Sequence, residues 1–146
     1  VVRLDDPVVG EARVAAAAHV RRCLATLSGV MRPACIVSSG ETTVRVIGRG
    51  KGGRNQEFAL AATELLSGAE PAVLASVGTD GVDGPTDAAG AFVDNETMSL
   101  ARERGLDPQR FLDDNNAYAF FDAIGHLIHT GPTGTNVGDL QVILLA

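Results

Sequence analysis
Tryptophan is absent, and the aromatic residues make up only 4% of the 146 residues. That leaves no platform for stacking nucleobases. Positive charge is short as well: 12 Lys and Arg stand against 18 Asp and Glu, a net charge of −6. No basic stripe is present, so nucleic acid and anionic membrane are excluded as natural partners. There are two cysteines, Cys23 and Cys35, neither in a CxxC pair nor beside paired histidines. No zinc site is legible from them. Both read as buried apolar residues of a reducing, cytoplasmic compartment. No apolar run reaches the length of a membrane span, and no signal-peptide pattern opens the chain. The sequence begins at Val1 with an apolar run already under way, which reads as a piece of a longer protein.

What the chain does have is glycine. Its 17 glycines gather around 48–53, 78–90 and 125–138 rather than repeating, so the excess belongs to loops. Length and composition fit one globular domain, residues 1–146. The pattern begins with a short strand at 1–4. Asp6 as N-cap and Pro7 at the first position then open a helix running to about Leu27. Strands are expected at 34–39 and 42–48, the second being a hairpin partner or near neighbour of the first. A helix over 55–68 is stopped by Gly68, and a continuous apolar strand follows at 72–78. A further strand is expected at 91–93. Helices follow up to Gly105, from Asp107-Pro108, and from a cap at Asn115 or Asn116. Strands at 126–131 and 140–146 complete the pattern. Alternating strands and helices predict an α/β fold with one mixed β-sheet flanked by helices on both faces. Tyr118 and Phe121, at helical spacing, read as core. His19, His126 and His129 show no ligand spacing and read as structural residues.

Four polar, glycine-rich segments follow strands: "SSGETT", "GRGKGGRNQE", "GTDGVDGPTDAAG" and "TGPTGTNVGD". Ligands of α/β folds bind outside the carboxyl ends of strands, so the four predict a shared rim. Gly48, Gly50 and Gly53 spell G-x-G-x-x-G between a strand and a helix. Amides at Gly52 and Gly53, the positive end of the next helix, Lys51 and Arg54 would together suit an anion. A dinucleotide is the weaker reading, because the acid that should hold the ribose is missing at its usual place. Walker A fails too, because Gly52 follows Lys51. Asp80, first after its strand, would project into the rim as a base or an Mg²⁺ ligand. Asp83 and Asp87 read better as turn and capping residues. Glu41 would orient a hydroxyl, hold a metal or pair with Arg54. Asn136, flanked by Thr133 and Thr135, would bind a hydroxyl or metal, or cap a turn.

Four motifs, "SSGETTV" (38–44), "GRGKGGRNQEFALA" (48–61), "GTDGVDGPTDAAGA" (78–91) and "TGPTGTNVGDL" (130–140), together with "GLDP" and "NNAY", resemble the C-terminal MOFRL domain of the glycerate 2-kinase family. Members of that family are often named hydroxypyruvate reductase. The resemblance covers nearly the whole chain. It departs at Ser39, where a glycine is usual, and at Gly138 in an otherwise N-V-N-D-like ending. It implies a two-domain α/β enzyme whose Rossmann-like N-terminal domain is absent here. It also implies ATP-dependent phosphorylation of glycerate in the cleft between the domains, with ATP and Mg²⁺. The implied catalytic residues are Glu41, Arg54, Asp80 and Asn136, and Lys51, Gly52, Gly53, Thr133 and Thr135 would bind the substrate anion. Asp80 is the candidate Mg²⁺ ligand. An NAD(P)H-linked hydroxypyruvate reductase piece and a non-catalytic anion-binding or interaction module are the alternatives. A face left open by a missing domain would favour self-association into an oligomer.

Overall fold
The computed structural model describes residues 1–67 and 71–146. In chain order the elements are β1 (Val2–Arg3), β2 (Val8–Glu11), α1 (Ala12–Leu27), β3 (Ala34–Thr43), α2 (Arg54–Leu66), β4 (Ala72–Gly78) and β5 (Gly90–Asp94), then α3 (Thr97–Glu103), α4 (Pro108–Asp113), α5 (Ala117–Ile124), β6 (Leu127–Ile128) and β7 (Asp139–Leu145). The strands form one mixed sheet in the order β1-β3-β7-β4-β5-β6, with β2 also paired to β3. β1 and β2 run parallel to β3, and all the other pairs are antiparallel. The expected α/β class with a mixed sheet is what forms.

β7 fixes the layout. It lies between β3 and β4 and runs antiparallel to both, with Asp139 in register with Gly40 on one side and Gly78 on the other. The carboxyl ends of β3 and β4 therefore meet the amino end of β7 at a single edge. Every loop of interest leaves from that edge.

Alternation along the strands sorts the two faces. Ile36, Leu74, Val93 and Ile143 share one face and are fully buried with Phe58, Leu60, Leu66, Phe120 and Phe121. α2 touches each of the other four helices, so the helices make one layer on this face. Among the described residues, helices cover one of the two faces expected to carry them. Val73 and Leu144 point the other way and are 37% and 48% exposed.

Three local expectations change. The helix expected from Asp6-Pro7 begins only at Ala12, because Val8–Glu11 pairs in parallel with Gly40–Thr43. β-branched Val8 and Val9 suit that strand, and Asp6 instead meets Arg22 at 2.7 Å. The two strands expected around Gly40 are one continuous strand, β3. Gly40 does not break it, because the missing side chain admits β2: a Cβ there would lie 2.0 Å from the Val8 carbonyl oxygen. Residues 44–48 form no strand. The strand expected at 126–131 shrinks to Leu127–Ile128. The helix stop expected at Gly68 lies outside the described residues. Cys23 is fully buried, whereas Cys35, on the open face, is only half-buried. Among the described residues no helix is long and apolar enough to cross a membrane.

A one-sided core has a measurable signature. Leu74→Ala should cost about 2–5 kcal/mol, whereas Leu144→Ala on the open face should cost less than about 1 kcal/mol. Urea unfolding of the two variants measures the difference.

Candidate functional site
The glycine loop before α2 is held from within. Ile47 N and Gly48 N donate to Asn115 Oδ1, both at 2.8 Å. Arg49 N donates to Asp114 Oδ1, Gly50 N to the Asp114 carbonyl, and Lys51 N to Asn116 Oδ1. Five successive amides are thus engaged by residues 114–116, so they are not offered to a dinucleotide. Asn115 and Asn116 were expected to cap α5, but neither side chain does so. Asn115 also donates to Glu57 Oε2 at 3.0 Å, and Glu57 accepts from Arg13 Nε at 2.9 Å. This buried network locks the loop onto α1 and α2.

The positive end of α2 is filled by the protein's own carboxylate. Asp83 accepts from Asn55 N at 3.0 Å and Gln56 N at 2.8 Å, and from Asn55 Nδ2 at 3.2 Å. Its capping role is the one expected for it. Gly53 must be glycine for this approach, since a Cβ would lie 2.3 Å from the Asp83 carboxyl carbon. The Asn55 and Gln56 amides at the positive end of α2 are therefore taken by Asp83. The amides of Gly52, Gly53 and Arg54 keep no partner among the described residues.

Arg54, the first residue of α2, grips Asp139 side-on, Nε to Oδ2 at 2.8 Å and Nη2 to Oδ1 at 3.0 Å. Its Nη1 lies 3.4 Å from Glu41 Oε1. The hydrogen bond to Asp139 raises the Arg54 pKa first; burial opposes it, and the charges of Asp139, Glu41 and Asp83 add to it. Asp139 is 1% exposed. It also accepts from Asn55 Nδ2 at 3.0 Å, and Asn55 Oδ1 accepts from Ser76 Oγ at 2.7 Å. A buried carboxylate needs such compensation.

Asp80 stands two residues beyond β4. Its Oδ1 accepts from Val82 N at 3.1 Å. Its second oxygen has no hydrogen-bond partner among the described residues. The loop of residues 130–138 folds onto this corner. Thr133 N donates to the Asp80 carbonyl at 3.2 Å, and the Thr133 hydroxyl to the Thr79 carbonyl. The Thr79 hydroxyl donates to the Gly138 carbonyl at 2.7 Å. Thr135 N donates to the Thr133 hydroxyl, and Asn136 Oδ1 accepts from Gly138 N in an Asx turn. Glu41, Arg54, Asp80 and Asn136 thus all belong to the one sheet edge set by β7. Lys51 lies elsewhere on the loop, its ammonium 4.3 Å from the centre of the Tyr118 ring. Tyr118 was expected in the core. Its ring is only half-buried, and its hydroxyl donates to Asp87 at 2.8 Å. Phe121 is buried as expected. His19 is structural, bonded to Ser38 Oγ at 3.0 Å. No group of three His, Cys, Asp or Glu among the described residues could hold a metal ion. Asp139 was passed over in the sequence; the signal was an acid at the first position of a central strand.

These observations define a mixed α/β domain with a loop-built polar rim at one sheet edge. The MOFRL family matches residues 34–139, and the chain belongs to that family. It is 50% identical over 114 residues to a protein named D-glycerate 2-kinase from Thermotoga maritima, a match spanning 78% of this chain and 27% of that protein. With human glycerate kinase it shares 43% over 134 residues, 87% of this chain and 26% of that protein. A crystal structure of glycerate kinase from Thermotoga maritima superposes with a TM-score of 0.90 at 42% identity, covering 99% of this chain and 36% of that one. The chain spans only about a quarter to a third of the length of these relatives.

Burial pushes the Asp83 carboxyl up to about 6, against the pull of its N–H partners. The folded state therefore binds the Asp83 proton more tightly than the unfolded chain. The resulting stability is complete below about pH 4 and is lost as pH rises through about 6. Buried His19 has the opposite slope: desolvation lowers its pKa to about 4, so its contribution is lost as pH falls from about 6.5 towards 4. Asp83→Asn isolates the first effect. The wild-type stability minus that of the variant, from urea unfolding, should fall by on the order of 3 kcal/mol between pH 4 and pH 7.

Proposed function
We propose that this chain is the C-terminal part of a glycerate 2-kinase and supplies half of an interdomain site for ATP-dependent phosphorylation of glycerate to 2-phosphoglycerate. The observation that carries this reading is the sheet edge at β7, where Glu41, Arg54, Asp80 and Asn136 share one rim. The relatives named glycerate kinase support it. The nicotinamide alternative loses its loop, because the amides of residues 47–51 are already bonded internally.

In this reaction the 2-hydroxyl oxygen of glycerate forms a bond to the γ-phosphorus, the bond to the β-γ bridging oxygen breaks, and ADP leaves. The free oxygen of Asp80 accepts the hydroxyl proton. Arg54, Nε and one Nη2 proton committed to Asp139, keeps further Nη protons for a carboxylate or phosphoryl oxygen. The unpartnered amides of Gly52, Gly53 and Arg54 add donors beside it. Asn136, with its Oδ1 tied to Gly138 N, retains its side-chain NH₂ for a substrate oxygen, and Thr133 and Thr135 hold that loop in place. Glu41 restrains Arg54 from its Nη1 side, and Lys51 contributes charge at the far end of the loop. When bound, Mg²⁺ would neutralise phosphate charge. Asp80 could supply one oxygen to it, and phosphate, water and groups outside this chain would supply the rest. The Rossmann-like N-terminal domain would carry the nucleotide-side groups, and oligomerisation and a cytoplasmic setting belong to the same reading.

The test is a kinase assay with glycerate and Mg·ATP. The full-length protein should form 2-phosphoglycerate, and the 146-residue chain alone should not. Asp80→Asn should lower kcat by about 10²–10⁴-fold. A loss confined to the apparent affinity for Mg²⁺ would reassign Asp80 from base to ligand.

A further inference from the structure
Arg54 is the cation that meets the amino end of β7, yet it is not free. Its Nε and Nη2 both point at one carboxylate, Asp139, at 2.8 and 3.0 Å. Side-on pairing of this kind fixes the guanidinium plane as well as its position. The carboxylate is itself held. Its side chain is fully buried, its backbone is paired on both sides, to Gly40 and to Gly78, and its Oδ1 takes a third donor, Asn55 Nδ2. Asn55 is anchored in turn by Ser76 on β4 and by Asp83. The orientation of Arg54 is thus referred to the middle of the sheet rather than to a loop. The pairing has a second effect. The Arg54 charge is matched by Asp139, and Glu41 adds another carboxylate 3.4 Å away. What Arg54 can offer a ligand is aimed N–H donors rather than uncompensated positive charge.

We infer that Asp139 is a positioning residue for phosphoryl transfer: it holds the Arg54 guanidinium in one orientation, so that Arg54 acts through directed hydrogen bonds and not through charge alone. The inference rests on the kinase reading given above. Asp139 touches no reactant and works through Arg54. A lysine at position 54 would keep the charge facing Asp139 but could not form the fork.

The experiment uses the full-length protein, with Asp139→Asn, Arg54→Lys and the double variant compared with wild type. Circular dichroism checks folding, and kcat is measured separately from KM for glycerate and for Mg·ATP. Asp139→Asn should lower kcat by about 10²-fold and leave KM for Mg·ATP within about twofold. Arg54→Lys should fall about as far, and the double variant no further, because both changes remove one device. A folded Asp139→Asn enzyme within about threefold of the wild-type kcat overturns the inference. So does an Arg54→Lys enzyme that keeps its kcat, and that variant decides the matter if Asp139→Asn fails to fold. Additive losses in the double variant overturn it as well, since they would mark Asp139 as a structural acid independent of Arg54. A wild-type enzyme that does not phosphorylate glycerate overturns the kinase reading itself and this inference with it. An active wild type with indifferent variants overturns this inference alone.

Discussion
Two carboxylates are buried against the first turn of α2, and the architecture of this end of the molecule follows from keeping both compensated. Asp83 is met by the helix amides of Asn55 and Gln56, and Asp139 by the Arg54 guanidinium. The Asn55 side chain bonds to both acids at once. An uncompensated charge in such a place is strongly destabilising, so the start of α2, the loop after β4 and the amino end of β7 cannot shift independently. The glycines belong to the same arrangement: Gly53 leaves room for Asp83.

Charge sets a second condition. The charges of Glu41, Asp83 and Asp139 all act on Arg54, and Asp80 stands two residues beyond β4 at the same end of the sheet, so this edge is short of positive charge. Both reactants of the proposed kinase reaction are anions. Attraction sufficient to bring them together would have to come largely from metal ions and from groups outside this chain. A domain that spans about a third of its structural relative can carry the geometry of a site without carrying its full electrostatics.

Much of the fold was legible because the strongest signals are local. The apolar run at 72–78, the Asp107-Pro108 helix start and the β7 segment each announce one element, and each forms. The failures involve partners remote in sequence. Val8–Glu11 pairs with residues more than thirty positions away, and helix-like flanks gave no warning of that. Gly40 looked like a break because the strand it admits was unseen. At the site, the four rim loops and Arg54 were readable from glycines following strands. What could not be read was which groups were already spent. The G-x-G-x-x-G amides look available in the sequence, and only three-dimensional structure brings Asp114, Asn115 and Asn116 against them. Asp139 was missed for the same reason: its importance lies in a partner 85 positions earlier.

The place of β7 in the sheet has a consequence for how the molecule comes into being. A ribosome delivers this strand after the six others, yet it belongs between β3 and β4. Until it arrives, the nascent sheet is two separate ribbons with two raw inner edges, each open to wrong pairing. Insertion of the middle strand joins the ribbons and brings the partner of Arg54 in the same event. Maturation of the rim and completion of the sheet are then one step, and a chain stalled before that step would hold neither.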